Sequence, residues 1–399
     1  MRVLIVGAGA AGVFAALRAA ALNPELKVLI LESAASPLGK VRISGGGRCN
    51  VTHACFDTGE LLEHYPRGGR ALVRLLERFG PADTVEWFAS RGVKLKTEAD
   101  GRMFPVTDSS QTVIDCLLNE ADRLGVRIFT SHTVRRLEVD HHHFVAHTRQ
   151  ASFEAQRLLL APGGSPMAYA WLAAMGHRVV DPVPSLFTFK VQDPRLTGLQ
   201  GVSLPWVAAE VAGQRAEGPL LITHWGLSGP AILKLSAFAA RELHACGYRA
   251  TLTLDLAPDQ DHEALRQQLL SCKSRSTHLG NYNPLDLPKR LWESLLRHHG
   301  LDPAQPWSQS PNKQLNRLSE NLKRAQFEVG GKGVFKEEFV TAGGLPLSEL
   351  YLDTLESRKW RGLHVAGELL DVDGVTGGFN FQNAWASGWV VGEAIASGS

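Results

Sequence analysis

The chain opens on an apolar run, Met1-Arg-Val-Leu-Ile-Val6, that passes directly into Gly7-Ala8-Gly9-Ala10-Ala11-Gly12 and then into an alanine-rich, helix-forming stretch. No other feature restricts the fold as much. A strand that turns at once into a helix needs Gly7 for the tight turn, Gly9 where the backbone nears a ligand, and Gly12 where the helix packs on the strand. The unpaired N–H groups and the dipole of the helix start then favour an anion such as the pyrophosphate of a dinucleotide. A glycine pattern alone is a weak sign. Here Lys27-Val-Leu-Ile-Leu-Glu32 supplies a second strand ending in an acid, twenty positions after Gly12. A carboxylate at that point meets a ribose 2′-hydroxyl and repels a 2′-phosphate. The expectation is a parallel α/β unit of Rossmann type holding a dinucleotide.

At 399 residues the chain suits two domains, or one large domain carrying an insertion. Its 44% apolar and 21% charged residues are those of an ordinary globular protein. A formal charge of +2 makes no electrostatic case for nucleic acid or an anionic membrane, so neither is expected as a partner. Five cysteines argue for a reducing compartment rather than a disulfide framework. No uninterrupted apolar run of about eighteen residues occurs. The apolar start carries the glycine turn, so it is expected to stay with the fold rather than serve as a signal, and a cytoplasmic location is expected.

From Arg2 to about Pro184 strands and helices alternate. A glycine-rich loop at Ser44–Asn50 follows the first unit, then helices near Gly69–Phe79, Ala82–Arg91 and Gln111–Leu124, and a strand at Val126–Thr130. Three short strands at Thr133–Val139, Phe144–His147 and Phe153–Leu160 form a meander typical of FAD proteins rather than plain NAD dehydrogenases. His141, His142 and His143 fall at its first turn; three consecutive side chains cannot converge on one metal, which leaves a solvated turn. Ser165-Pro166 reads as an N-cap and first helical residue. From about Leu186 the pattern turns to strands at Phe187–Gln192, Trp206–Val211, Leu220–Thr223 and Arg249–Leu256, with helices at Leu287–His298 and Lys313–Arg324 and no second glycine fingerprint. Gly362–Gly367 is again a buried strand ending in glycine. The expected division is 1–185 and 336–399 as two segments of a cofactor domain, with 186–335 inserted as a substrate-side domain.

Two further segments carry chemistry. Leu158-Leu-Leu-Ala161-Pro162-Gly163-Gly164 is an apolar strand stopped by small residues, which lets a turn approach a ligand. Gly367-Glu368 closes the last strand, and Asp371-Val-Asp373-Gly-Val-Thr-Gly377-Gly378-Phe379-Asn380 leads into a final helix. A carboxylate at that strand end can accept a ribityl hydroxyl, while the helix start points N–H groups at the flavin N1 and C2 carbonyl edge, where negative charge gathers on reduction. Asp371 and Asp373 read equally well as loop and cap residues.

The runs Lys40–Thr52, with Ser44-Gly-Gly-Gly-Arg-Cys-Asn50 at their centre, Thr223-His224-Trp225-Gly226-Leu-Ser-Gly-Pro230, Thr341-Ala-Gly-Gly344 and Gly367–Gln382 resemble the BaiN/RdsA-type NAD(P)/FAD-dependent oxidoreductases, the aminoacetone-oxidase-like flavoproteins. The similarity spans nearly the whole chain. It implies a glutathione-reductase-like FAD-binding Rossmann domain, split in sequence by an inserted mixed β-barrel and helical domain. By that resemblance Gly7–Gly12 and Glu32 hold the ADP half of FAD, with Ser33 and Val134 in the same set. Lys40, Ser44, Gly45, Gly46 and Arg48 line the middle, Glu368 with Gly377, Gly378, Phe379 and Asn380 surrounds ribityl and isoalloxazine, and Ala161, Pro162, Gly163 and Gly367 are further cofactor-binding positions. One departure stands out: relatives carry a longer loop where Ser165-Pro166-Met167 here enters a helix directly.

The resulting expectation is an FAD-dependent oxidoreductase that passes a hydride between a small organic substrate and flavin N5. Dioxygen or transiently bound NAD(P)H would serve the other half-reaction. His224 is a candidate substrate-side acid or base, or else a histidine hydrogen-bonded beside a glycine turn. Cys49 is a candidate on the cofactor side, and no metal is expected. Two other readings stay open: a disulfide reductase using Cys49 and Cys55, and a non-catalytic flavin-binding interaction protein.

Overall fold

Arg2–Val6 is apolar on both faces, as befits a central strand covered by helices on either side. It pairs in parallel with Lys27–Leu31 on one flank and with Arg157–Leu160 on the other. The computed structural model describes residues 1–140, 143–333 and 340–398. Within it the chain divides into two compact units, Met1–Pro182 with Val340–Ser399, and Val183–Phe339. The expected boundary between residues 335 and 336 lies outside the described residues.

The first unit is built on a seven-stranded sheet. Its order is Leu350–Tyr351, Glu356–Ser357, Leu363–Val365, Arg157–Leu160, Arg2–Val6, Lys27–Leu31, Arg127–Phe129. The last five are parallel, and the first two close the edge antiparallel. The chain therefore builds outward from Arg2–Val6 in one direction and later resumes on its other side. The first helix, Ala10–Leu22, and the last, Phe379–Ser397, lie against each other with almost no side chain between. A Cβ on Gly388 would stand 2.6 Å from the Ala11 carbonyl, and one on Gly392 2.8 Å from that of Ala15.

Two small antiparallel sheets flank this frame. Thr52–His53, Arg102–Pro105 and Leu95–Thr97 form one, which the sequence reading omitted; Arg136–Asp140, His143–His147 and Ser152–Ala155 form the other. The expected third meander strand, Phe153–Leu160, is in fact two. Ser152–Ala155 ends the meander, and Arg157–Leu160 enters the main sheet opposite Val3–Val6. The break falls at Gln156, whose backbone and side chain both bond the backbone of Arg2. His141 and His142 lie outside the described residues; His143 pairs with Asp140 and is exposed. The expected loop at Ser44–Asn50 overlaps a helical segment, Gly39–Gly47, kinked where Ser44 is extended and Gly45 and Gly46 are left-handed.

The second unit is a closed antiparallel barrel of six strands, ordered Phe189–Val191, Gly226–Ser228, Gln214–Ile222, Ser203–Val211, Ala250–Asp255, Ala325–Lys332. Strand alternation gives its interior: Ala325, Phe327 and Val329 are buried while Gln326 and Glu328 face water. Helices Lys289–His298 and Asn312–Lys323 add their apolar faces, Leu291, Trp292, Leu295 and Leu296 with Leu315, Leu318 and Leu322, to the same core. The stacked rings of Trp292 and Trp307 stand 6.4 Å apart within it.

The helix pair of the first unit yields a prediction. Gly388→Ala forces a methyl into the Ala11 carbonyl and is expected to lower stability by about 1–3 kcal/mol, the cost of overpacking. Gly39→Ala, where an added Cβ meets nothing within 4 Å, should change it by less than about 0.5 kcal/mol. Urea unfolding followed by circular dichroism distinguishes the two; equal midpoints would show that the helices separate freely.

Candidate functional site

Four parallel strand ends of the first unit lie side by side, and the chain leaves each through a short turn: Gly7 after Val6, Glu32 after Leu31, Ala161 after Leu160, Ala366 after Val365. Backbone bonds tie each turn to the next strand: Gly7 N–H to Leu31 O at 2.8 Å, Ala161 N–H to Val6 O at 2.9 Å, Ala366 N–H to Leu160 O at 3.1 Å. The strand order reverses here, and in open α/β sheets the crevice at that reversal is where ligands bind. Gly7, at φ +105°, is obligatory, because a Cβ would stand 2.4 Å from the Ala161 carbonyl and 2.7 Å from Pro162 Cα. Gly12 is equally constrained, its Cβ position lying 2.1 Å from Gly7 O, whereas the space before Gly9 is open. The glycine turn, Ala161–Gly163 and Gly367 thus form one surface.

Glu32 sits at the far end of that surface. Its carboxylate accepts Ala8 N–H and Ala34 N–H, each at 2.8 Å, and neighbours the Ser33 hydroxyl at 3.1 Å. Val134 is buried in the connection leading to the meander. At the near end, Glu368 forms an ion pair with Lys40 and accepts Thr341 N–H at 3.1 Å. Gly163 and Gly164 press against the same carboxylate: their Cβ positions would lie 3.3 and 3.4 Å from its oxygens.

Two helices begin on this surface, and both lack a side-chain cap. Gly9 precedes Ala10–Leu22 and Gly378 precedes Phe379–Ser397; neither has a side-chain oxygen to offer the first helix N–H groups, and neither first turn contains an acid. By contrast Ser109 and Asp261 cap Ser110–Arg123 and His262–Ser271 in the ordinary way. The two uncapped starts leave donors and dipole available to an outside anion.

The turn before the last helix is held from several sides. Asp373, fully buried, receives both arms of the Arg67 guanidinium, and the Asn380 side chain bonds the N–H and the carbonyl of Gly374 at 2.9 and 2.8 Å. Tyr65 donates to Phe379 O at 2.7 Å, and burial holds its phenol protonated. Phe379 itself is stacked by His64 at 4.3 Å and by His53 at 4.7 Å. His53, His64 and Arg67 were not anticipated. No local pattern announces them, since Arg67 and Asp373 are 306 positions apart.

The Ser44–Cys49 segment is fixed by the small sheet. Arg48 bonds Glu98 at 2.6 Å, approaches Asp108 at 3.5 Å and lies over the Phe104 ring at 4.0 Å, so its guanidinium anchors the loop. Gly45, Gly46 and Gly47 run successively left-handed, and the positions before Gly46 and Gly47 are open. Cys49 is buried, and burial pushes its thiol up to about 12, against a modest opposing bond with Ser44. Cys55 is shifted the same way, by burial and then by the carboxylates of Glu60, Asp57 and Glu63. A redox pair needs a thiolate nucleophile, so this geometry weighs against Cys49 as a catalytic group and against a disulfide reductase.

In the second unit His224 is exposed in the turn Thr223–Gly226, where Thr223 Oγ1 accepts Trp225 N–H at 3.3 Å. It borders a hollow of about 410 Å³ lined by Gln192, Asp193, Thr197, Gln200 and Thr223 among others. Among the described residues no hydrogen bond to its ring is found, unlike the satisfied histidine that was its alternative reading. No group of three or more metal-ligating side chains occurs among the described residues either.

The surface of the first unit suits a flavin dinucleotide: one uncapped helix start for a diphosphate and another for a ring edge, an acid for each sugar-like segment, and glycines where a planar ring must approach. A profile of the HI0933-like protein Rossmann domain matches residues 1–394. The 3-dehydro-bile acid delta(4,6)-reductase of Clostridium scindens is 31% identical over 415 residues, covering 99% of each chain. The ribosomal RNA dihydrouridine synthase of Escherichia coli is 30% identical over 403 residues, covering 98% of this chain and 97% of its own. Among solved structures, the 3-ketosteroid delta1-dehydrogenase of Sterolibacterium denitrificans superposes over 100% of this chain and 99% of its own, with a TM-score of 0.54 at 14% identity. That likeness concerns the fold.

The cysteine geometry yields a prediction. A thiol near 12 is ionised to only about one part in ten thousand at pH 8. Iodoacetamide applied to the native protein should therefore alkylate exposed Cys246 within minutes and leave Cys49 untouched, as read by peptide mass spectrometry. Modification of Cys49 at a comparable rate would restore it as a nucleophile.

Proposed function

The chain belongs to the HI0933-like Rossmann family of FAD-dependent oxidoreductases, and from that premise we propose that it moves a hydride between a small organic substrate and N5 of a bound FAD. The observation carrying this reading is the pairing of two glycine-started, uncapped helices with Glu32 and Glu368 on one carboxyl edge. Gly7–Gly12 would take the diphosphate, with Ala8, Ala10 and Ala11 supplying backbone, and Glu32 the adenosine ribose, with Ser33 and Val134 beside it. Lys40, Ser44, Gly45, Gly46, Arg48 and Ala161–Gly163 would border the middle of the cofactor. Gly367 and Glu368 would hold the ribityl chain, and Gly377–Asn380 the ring edge. Bound there, FAD supplies the hydride-exchanging centre.

The protein's own part is electrostatic and positional. Donors of the last helix face the ring edge where charge gathers, Glu368 is paired with Lys40, and the buried Arg67–Asp373 pair fixes the turn between them. His224 is retained as the substrate-side acid or base, because it is exposed and is engaged by no other described residue through its ring. The reading favours reduction of a substrate double bond with NAD(P)H as transient donor, since one curated relative is named a reductase and another a dihydrouridine synthase. No second glycine fingerprint exists for a resident nicotinamide, so NAD(P)H would dock and leave.

A second reading concerns the substrate. The expected exclusion of nucleic acid rested on the near-neutral charge and the absence of a basic aromatic stripe, and a relative matched over 97% of its length is named for ribosomal RNA. A uridine-bearing RNA is therefore retained beside a small enone as a substrate class; charge does not decide between them.

Two measurements test the proposal. Glu32→Gln and Glu368→Gln each replace a charged acceptor by a neutral one and should weaken FAD binding about tenfold or more; unchanged affinity would remove the residue from the cofactor. Anaerobic stopped-flow of the holoprotein should show NADH or NADPH bleaching the oxidised flavin rapidly, with recovery in air. No bleaching by either would favour an oxidase reduced only by its own substrate.

A further inference from the structure

The segment Val51–His53 runs along the start of the last helix, and each of its residues bonds that helix or the turn before it. Val51 O accepts Trp385 Nε1–H at 2.9 Å, Thr52 Oγ1 donates to Gln382 Oε1 at 2.7 Å, and His53 Nδ1 lies 3.0 Å from Gly377 O. The contact is close throughout: a Cβ on Gly378 would stand 2.6 Å from the Thr52 carbonyl. From this geometry, and resting on the flavin reading above, we infer that His53 is a positioning residue for the flavin ring edge: it holds the Gly377 carbonyl and so aims the Gly378 N–H at the cofactor.

The argument is one of peptide geometry. In a trans peptide the carbonyl and the next N–H point in opposite directions. Drawing the Gly377 oxygen toward His53 turns the Gly378 N–H away from it, so that it joins the uncapped N–H groups of Phe379 and Asn380. A carbonyl only accepts, so Nδ1 carries the proton and Nε2 is bare in the neutral ring. Nε2 faces Gly101, whose left-handed backbone, φ +83°, leaves room only because no Cβ is present; one would lie 2.4 Å from that nitrogen. The imidazole is packed by the stack on Phe379, 4.7 Å away, and by the neighbouring His64 ring, 5.9 Å away.

The same residue can carry charge. Burial lowers its pKa below the ordinary histidine value. The groups facing it are Asp100 and Arg102, which pair with each other at 2.7 Å, and His64. His53 is thus neutral at neutral pH. On acidification Nε2 takes a proton, and an imidazolium then stands against the helix start. Reduction places negative charge at the adjoining ring edge, so protonated His53 favours the reduced cofactor. The flavin potential should rise on the acid side by more than the cofactor's own proton uptake requires.

Three holoproteins decide it: wild type, His53→Phe and His53→Asn. Phenylalanine keeps the stack and loses the donor; asparagine Nδ2 takes the place of Nδ1 but does not titrate. FAD affinity is read by calorimetry, and the midpoint potential is measured at several values between about pH 5 and 8. His53→Phe should bind FAD about tenfold more weakly, within the range of a helix-terminus interaction, and show a lower potential. His53→Asn should bind as wild type does and lose the acid-side rise. A folded His53→Phe with wild-type affinity and potential overturns the inference, as does an acid-side rise preserved in His53→Asn, a result that stands even if the phenylalanine variant misfolds. A wild type that binds no FAD overturns the flavin reading itself, which distinguishes the two failures.

Discussion

The structure of the first unit depends on one close approach: the Gly7 backbone against the Ala161 carbonyl at the end of the central strand. Nothing larger than hydrogen fits at Gly7, so the strand passes into a helix at once and the turn after Leu160 lies flush with it. The direction of the first helix, the packing of Gly388 and Gly392 onto it, and the placing of Gly367 beside Ala11 follow from that approach. Backbone is brought to backbone across four strand ends, and the surface so formed presents N–H groups instead of side chains. By the proposed function, a ligand there would be recognised by shape and dipole first, and by Glu32 and Glu368 second.

Local pattern made much of this visible. The strand, glycine turn, helix and second acid are contiguous or regularly spaced, and the structure builds them as read: Arg2–Val6, Ala10–Leu22 and Lys27–Leu31. The proline-started helix behind Ser165 likewise depends on adjacent residues only. Errors arose where one apolar run serves two neighbours. Phe153–Leu160 has strand character from end to end, and only the bonds between Gln156 and Arg2, 154 positions away, divide it between meander and sheet. The small sheet at Thr52–His53, Leu95–Thr97 and Arg102–Pro105 escaped for a similar reason: strands of two to four residues carry too few alternations to register a period.

Site chemistry divides along the same line. Glycines and strand-end acids are located by position in a motif, whereas charge pairs are located only through space. Asp373 beside a glycine turn reads as a loop residue until Arg67 is seen against it, buried in a bidentate pair. Cys49 illustrates the reverse case: a cysteine after a glycine-rich loop suggests reactivity, and burial removes the thiolate that reactivity needs. Reactivity is a property of surroundings, and residue type supplies only the opportunity.

Net charge proves a poor guide to anion binding in such a fold. A dinucleotide carries two phosphate charges, yet the chain is nearly neutral, and the two helices proposed to meet it have no basic residue in their first turns: Ala10-Ala-Gly12 and Phe379-Asn-Phe381. In the proposed site an anion would be met by aligned peptide dipoles without side-chain caps, each start equivalent to roughly half an elementary charge. Such a site adds nothing to the formal charge count. The low charge that argued against nucleic acid therefore carries less weight than it would for a protein that meets phosphate with lysine and arginine. A polyanion could be met by backbone at the cofactor end and by a few local cations elsewhere, and the test of that is the salt dependence of binding, which counts cation–phosphate contacts directly.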